Sequence, residues 1–285
     1  MLLMDGGLIF RAFFALPPMT DPKGRPVNAV YGFMTMLFRE LAAIRPTHVA
    51  VGMDVPIAEN RRTLLYSDYK GNRPECPPDL APQFDLLRDV LTALNVPVLG
   101  APGYEADDVL GTMARKAEQS GLEVSLLTGD RDALQLLSGR TQIRYVKKMN
   151  QSETYDIPRF AAEWNLLPHQ LVDLKGLAGD ASDNIPGIRG IGEKTAVKLL
   201  QEFESVENVL ANAHTQKGKL RERLEQGREI ALLSKQLATI DRHVPGLAEP
   251  DGCALLLNRD QGTAKFEELR FRTLMTTLYA QTSTA

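Results

Sequence analysis

The chain of 285 residues carries 33 Lys and Arg against 36 Asp and Glu, a net charge of −3, with 44% hydrophobic and 24% charged residues. This is ordinary globular composition, enough for one large core or two, and it excludes collagen-like, disordered and membrane-spanning classes. Two distant cysteines (Cys76, Cys253) and four scattered histidines (His48, His169, His214, His243) leave little for a zinc site, a disulfide framework or a His-based triad. Met1 leads straight into LLMD without a charged, apolar leader, so the expectation is a cytoplasmic monomer with no signal peptide and no membrane contact.

In chain order, three apolar runs each end in an aspartate: LLMD at Asp5, THVAVGMD at Asp54 and VSLLTGD at Asp130. Between them lie the helix-patterned segments VYGFMTMLFRELAAI, QFDLLRDVLTALN and EADDVLGTMARKAEQ. Buried strands alternating with helices predict an α/β fold with a central, mostly parallel sheet flanked by helices. The carboxyl ends of such strands share one edge, where ligands bind, so three aspartates in that position mark a site. Taken singly, each is as readily a loop residue or a helix cap.

Residues 56–82 are basic and aromatic (NRRTLLYSDYKGNR), then rich in proline (PECPPDLAP), which suits a long excursion over the active edge. From about Gly176 the strand patterns stop. VENVLANA, KGKLRERLEQGREIALLSKQLATI and KFEELRFRTLMTTLYAQ all read as helices. The expected division is an α/β part over 1–175 and a helical part over 176–285.

Glu105, Asp107 and Asp108 fall within four positions at a helix start. One acid there favours the helix dipole by about 0.3–1 kcal/mol, but three repel one another and call for a cation. Asp130 and Asp132 flank Arg131 and share a side if the strand continues that far. Asp180 and Asp183 follow in GDASDN. Together with Asp5 and Asp54 they make nine oxygen donors without His or Cys, the ligand chemistry of Mg²⁺ or Mn²⁺. Nine acids drawn into one metal cluster would leave the rest of the chain net basic, compatible with a polyanionic partner.

The stretch GDASDNIPGIRGIGEKTA, residues 179–196, is not an EF-hand loop: the position eleven after Asp180 is Ile191, not Glu. Nor is it a dinucleotide fingerprint, since its glycines run G-x-x-G-x-G and follow a helical segment instead of a strand. What remains is a helix, a glycine turn and a second helix at EKTAVKLLQEF. The N–H groups of Gly190, Ile191 and Gly192 can face a phosphate there, with Lys194 and Lys198 nearby. A helix hairpin with glycines for close packing explains the spacing equally well.

In this order, LLMDG, VAVGMD, GYEADDVLGTMA, LLTGDRDALQLL and GDASDNIPGIRGIGEKTA resemble the bacterial 5′ nucleases of the flap endonuclease superfamily, such as the 5′ to 3′ exonuclease domain of bacterial DNA polymerase I. FRAFFALPPMTDPKGRPVNAVYGF, YKGNR and FEELRFRTL extend the likeness over nearly the whole chain. The resemblance implies a PIN-like 5′ nuclease fold with a helix-hairpin-helix element at about 185–200, matched most closely over 185–196. It also implies two divalent metals, Mg²⁺ or Mn²⁺. One is assigned to Asp5, Asp54, Glu105, Asp107 and Asp108, the other to Asp130, Asp132, Asp180 and Asp183.

The resemblance further implies a helical arch at about 56–82 whose basic residues match Arg62, Lys70 and Arg73. Lys70 and Arg73 take the catalytic, phosphate-stabilising role, and Tyr69 is placed either to stack on a base or to anchor its loop. Gly187, Gly190, Ile191, Gly192, Lys194, Thr195 and Lys198 fall in the element that grips duplex backbone, where the family also holds K⁺. The implied activity is two-metal hydrolysis of DNA at 5′ flaps, nicks and 5′ ends in replication and repair, with RNA in RNA/DNA hybrids as a further partner.

This chain departs from the family at Gly7, where an asparagine is usual, at Val55-Pro56 and at Arg61, yet all nine acids are in place. Two other readings compete. A haloacid-dehalogenase-type phosphatase wants Thr or Val where Leu134 stands and has no use for GIRGIGEKTA. A non-catalytic DNA-binding module would bind without metal and without cleavage.

Overall fold

The computed structural model describes residues 1–55 and 60–280. The first residues of the expected arch, 56–59, therefore lie outside the described residues. Six strands form one sheet: β1 (Leu2–Asp5), β2 (Val49–Gly52), β3 (Val98–Leu99), β4 (Val124–Thr128), β5 (Thr141–Lys148) and β6 (Gln151–Tyr155), in the order β3-β2-β1-β4-β5-β6. All neighbours run parallel except β6, which returns antiparallel along β5. The expected α/β fold with a central, mostly parallel sheet is what forms, β6 being its antiparallel edge.

Thirteen α-helices accompany the sheet among the described residues. They are α1 (Leu8–Ala15), α2 (Asn28–Ile44), α3 (Arg61–Leu65), α4 (Ala81–Ala93), α5 (Ala106–Gln119), α6 (Ile157–Trp164) and α7 (Leu171–Ala178), then α8 (Glu193–Phe203), α9 (Val206–Ala211), α10 (Gly218–Gln226), α11 (Arg228–Ala238), α12 (Arg259–Glu268) and α13 (Arg272–Ala280).

Alternation along β1 sorts the core into two layers. Leu2 and Met4 pack with α1, α2 and α4, and also with Phe266, Leu274 and Leu278 of α12 and α13. Leu3 faces α5 and the helices around α7 and α8. The two final helices thus return to the first layer. A central strand buried on both faces has no polar side, so LLM and VAV read as continuous apolar runs.

Three sequence readings are corrected. The long run from Lys217 to Ile240 is two helices broken at Gly227, and the last is two helices broken at Arg270, whose φ is +58°. Strand β4 stops at Thr128, and Asp132 opens a 3-10 turn, so Asp130 and Asp132 are not strand neighbours. The β5–β6 hairpin went unread because TQIRYVKK and QSETY are polar along one side and lack an apolar run.

Candidate active site

The register places Asp5 opposite Gly52, Gly52 opposite Leu99, and Met4 opposite Leu127, so four strands end at one level. Asp5 ends β1, and Asp54 and Asp130 stand just beyond the ends of β2 and β4. Parallel strands linked by right-handed crossovers leave their carboxyl ends on one edge, and the aspartates meet there.

The scaffold holds Asp5 firmly. Thr128 Oγ1 donates to Asp5 Oδ2 at 2.8 Å and the Gly7 amide to Oδ1 at 2.7 Å. A Cβ on Gly7 would lie 3.0 Å from that same Oδ1, so the residue that departs from the family brings its backbone against the carboxylate. Burial pushes the Asp5 carboxyl up to about 6, with the charges of Asp130 and Asp54 adding to the effect against the two hydrogen bonds. The side chain of Asp107, on the first turn of α5, makes no hydrogen bond or ion pair among the described residues. Its carboxyl is held well above the usual range by burial and by Asp130 and Asp5. Asp130 accepts the Asp132 amide at 2.9 Å.

The other acids are paired with cations. Lys70 Nζ meets Glu105 Oε1 at 2.7 Å and Asp183 Oδ2 at 3.9 Å, and Arg73 meets Asp183 Oδ1 at 2.6 Å. Lys175, which sequence reasoning missed, bridges Asp132 and Asp180. Its signal was its place near the end of α7, five residues ahead of Asp180 in the loop that follows. Burial opposes ionisation of Glu105, but Lys70 and Arg62 outweigh it and hold the carboxyl below its ordinary value. Asp180 is likewise held down, against burial, by hydrogen bonds from Lys175 and Ser182. Burial and Asp130 still push Asp132 up to about 7. Among the described residues, no three of these acids stand as a ready-made ion-binding group. Glu105, Asp132, Asp180 and Asp183 each lie against an ammonium or guanidinium, because burial makes an unpaired charge costly.

Residues 68–73 are stitched to the GDASDN loop. The Lys70 amide donates to Asp183 O, Asn72 Nδ2 to Ala181 O and Asn184 Nδ2 to Asp68 O. Lys70 has a φ of +56° and projects into the cluster from this tight turn.

Several residues expected at the site face elsewhere. Arg62 is buried, and each guanidinium nitrogen is engaged: by Asp108 twice, Glu105, Leu237 O and Thr239 O. It is an internal strut joining α3, α5 and the end of α11, with no donor left for DNA. Asp108 is its counterion. Both its oxygens accept from Arg62, with further bonds from the Glu105 and Asp241 amides, so its carboxylate is fully engaged there. Tyr69 is 6% exposed, packs with Ile185 and Leu237, and donates to Glu105 Oε2 at 3.1 Å, an anchor with no face for a base. Aromatic and basic neighbours in a loop do not reveal which of them turn inward.

Around the glycine turn, Gly190, Gly192, Lys194 and Lys198 are exposed and Thr195 is half-buried. The Ile191 amide is instead bonded to Ile188 O and its side chain is buried. Gly187, at φ +59°, donates to Ser234 Oγ, and a Cβ there would strike the Gly179 backbone at 2.1 Å. These two positions pack the hairpin, and the exposed ones present it.

A sequence profile of the 5′-3′ exonuclease N-terminal resolvase-like domain matches residues 1–165, and one of the 5′-3′ exonuclease C-terminal SAM fold matches 166–258. The chain belongs to the 5′-3′ exonuclease family. Within the family it is 47% identical to DNA polymerase I of Bacillus caldotenax over 279 residues and 41% identical to that of Bacillus subtilis over the same length. Each match takes in 96% of this chain and 32% of the relative, so the chain spans about a third of these curated relatives. Among solved structures, the family fold recurs in T5 5′-exonuclease bound to zinc (TM-score 0.71, 19% identity, 99% of this chain and 97% of that one). It recurs also in the catalytic core of Rad2 in complex with DNA substrate (TM-score 0.58, 15% identity, 97% and 92%). At such identities the likeness is one of fold. No helix among the described residues is long and apolar enough to cross a membrane.

Proposed function

We propose that this exonuclease-family chain is a metal-dependent, structure-specific 5′ nuclease, a cytoplasmic monomer that hydrolyses DNA phosphodiesters at 5′ flaps, nicks and 5′ ends in replication and repair. The observation that carries the reading is the convergence of Asp5, Asp107 and Asp130 at one sheet edge, with Asp5 and Asp107 held above their ordinary range by burial and mutual repulsion. The donor set fits divalent metals. It is all oxygen, and among the described residues the eight carboxylates other than Asp108 are ion-paired only by Lys70, Arg73, Lys175 and, at Glu105, Arg62. Mg²⁺ or Mn²⁺ suits such ligands, and K⁺ is a further ion for the glycine turn. A solved T5 D15 flap endonuclease complex that contains DNA and metal ions supports the same reading.

When bound, the metals would acidify the attacking water and neutralise charge on the phosphodiester. The chain's own residues do the rest. Thr128 and the Gly7 amide orient Asp5. Lys70 and Arg73 lie within the cluster on side chains long enough to leave Glu105 and Asp183 for a phosphate, and both are raised in pKa by those acids, against burial, and so stay charged. The unpaired cations of α8 would seat the duplex by its backbone, reading structure more than base sequence.

The test is cleavage of an end-labelled 5′-flap duplex in Mg²⁺, Mn²⁺ or EDTA. Asp130→Asn should abolish metal-dependent cleavage, by on the order of 10³-fold or more. Wild-type rates from that variant would overturn the assignment, and metal-independent binding without cleavage would favour the DNA-binding module. A matching RNA/DNA hybrid decides whether RNA 5′ ends are also substrates.

A further inference from the structure

Arg131 lies between Asp130 and Asp132, yet it pairs with neither. It is exposed, and its side chain makes no hydrogen bond or ion pair among the described residues; its guanidinium rests 5.5 Å from the centroid of the Tyr145 ring. The other cations at the cluster, Lys70, Arg73 and Lys175, are all tied to carboxylates. An arginine amid acids that keeps its donors free is held for some other anion. Its contact with the Tyr145 ring steadies the guanidinium near the cluster without consuming a donor.

Two adjoining cavities of about 430 and 480 Å³ share Arg131, Trp164 and Glu193. The first opens on Asp130, Asp132 and Asp180; the second ends at Lys194 and Lys198 of α8. They form one groove from the carboxylate cluster to the helix behind the glycine turn. Lys194 and Lys198, one turn apart, are exposed and without ion pairs among the described residues. Two exposed acids, Glu163 and Glu193, also border this path and repel phosphate from their own walls, which leaves Arg131 and the two lysines to receive it.

We propose that Arg131 is a positioning residue for DNA: it holds a backbone phosphate of the strand that crosses this groove between the cluster and α8. The inference rests on the nuclease reading, and it extends that reading by a contact that fixes how far the cut lies from the duplex grip. A free guanidinium with parallel donors suits a phosphate oxygen pair.

For a nicked 5′-flap duplex, Arg131→Ala should raise KM about tenfold at 0.1 M salt, leave kcat within about twofold, and shrink the slope of log KM against log salt by about one. Arg131→Lys should restore the slope and most of the KM, since the phosphate contact needs the charge. A fall in kcat with KM and slope unchanged would overturn the proposal and place Arg131 in the electrostatics of the acids. No change in any quantity would overturn it too. Should Arg131→Ala fail to fold by circular dichroism, Arg131→Gln carries the same comparison.

Trp164, the sole tryptophan, borders the groove stacked on Phe160, with its Nε1 buried and without a partner among the described residues. Its fluorescence, titrated with the nicked duplex in Ca²⁺, reads the same salt slope as a Kd. If the wild-type protein binds but cleaves nothing, the nuclease reading fails while the Arg131 contact is still decided by that slope.

Discussion

The acidic cluster has two sides built on opposite principles. On the sheet side, Asp5 and Asp107 are fixed by strands and by the start of α5, have no cation, and are raised in pKa. On the loop side, Glu105, Asp180 and Asp183 are each met by a lysine or arginine, and Glu105 and Asp180 are lowered. Asp132 stands at the boundary, paired with Lys175 yet raised by burial and Asp130. The sheet side is charge held in place against its own repulsion, a state that folding tolerates only because the strands over-determine it. The loop side is charge neutralised by the ion pairs of Lys70, Arg73 and Lys175. A site of this kind is prepared on one side and guarded on the other.

The contrast predicts graded effects. The largest is at the interior extreme of pairing. Arg62→Ala strips the counterion from buried Asp108 and should cost about 3–5 kcal/mol in denaturant unfolding. A loss under about 1 kcal/mol would show that the strut does not join α3, α5 and α11. Lys70→Ala should next lower kcat by about 10- to 100-fold while Kd for the duplex moves within about threefold; equal losses would reassign Lys70 to docking.

Smaller effects separate the two sides directly. In EDTA, Asp107→Asn should raise stability by on the order of 1 kcal/mol, because it removes an uncompensated charge. Asp180→Asn should lower it by a similar amount, because it leaves Lys175 short of a partner. The same sign for both would erase the distinction. Finally, the folded pKa values of Asp5, about 6, and Asp132, about 7, exceed the ordinary 3.8, so the folded state binds protons the unfolded chain has released. From these groups, metal-free stability should fall as pH rises from about 4 to about 7, and added Mg²⁺ should recover more of it at pH 7.5 than at pH 5. Melting curves across that range check both signs.

The sheet side was legible in the sequence because it follows from topology. An apolar run ending in aspartate, repeated between helices, puts each carboxylate on the same edge whatever the details of packing. The loop side was legible only as composition. That Tyr69 and Arg62 turn inward while Lys70 and Arg73 turn to the acids depends on contacts with Leu237 and Thr239, well over a hundred residues away. Likewise GIRGIG divides into Gly187 and Ile191, packed inside, and Gly190 and Gly192, presented outside.

By itself the sequence determined the α/β class, the three strand-terminal aspartates and the order of the acidic motifs, because strand and helix periodicities and chain connectivity are local. Tertiary structure alone decided which cation meets which acid. It drew Lys175 into the cluster, withdrew Arg62 and Asp108 from it, and left Arg131 free beside it. The reason is that burial sets the cost of an unpaired charge, and burial is a property of the packed whole.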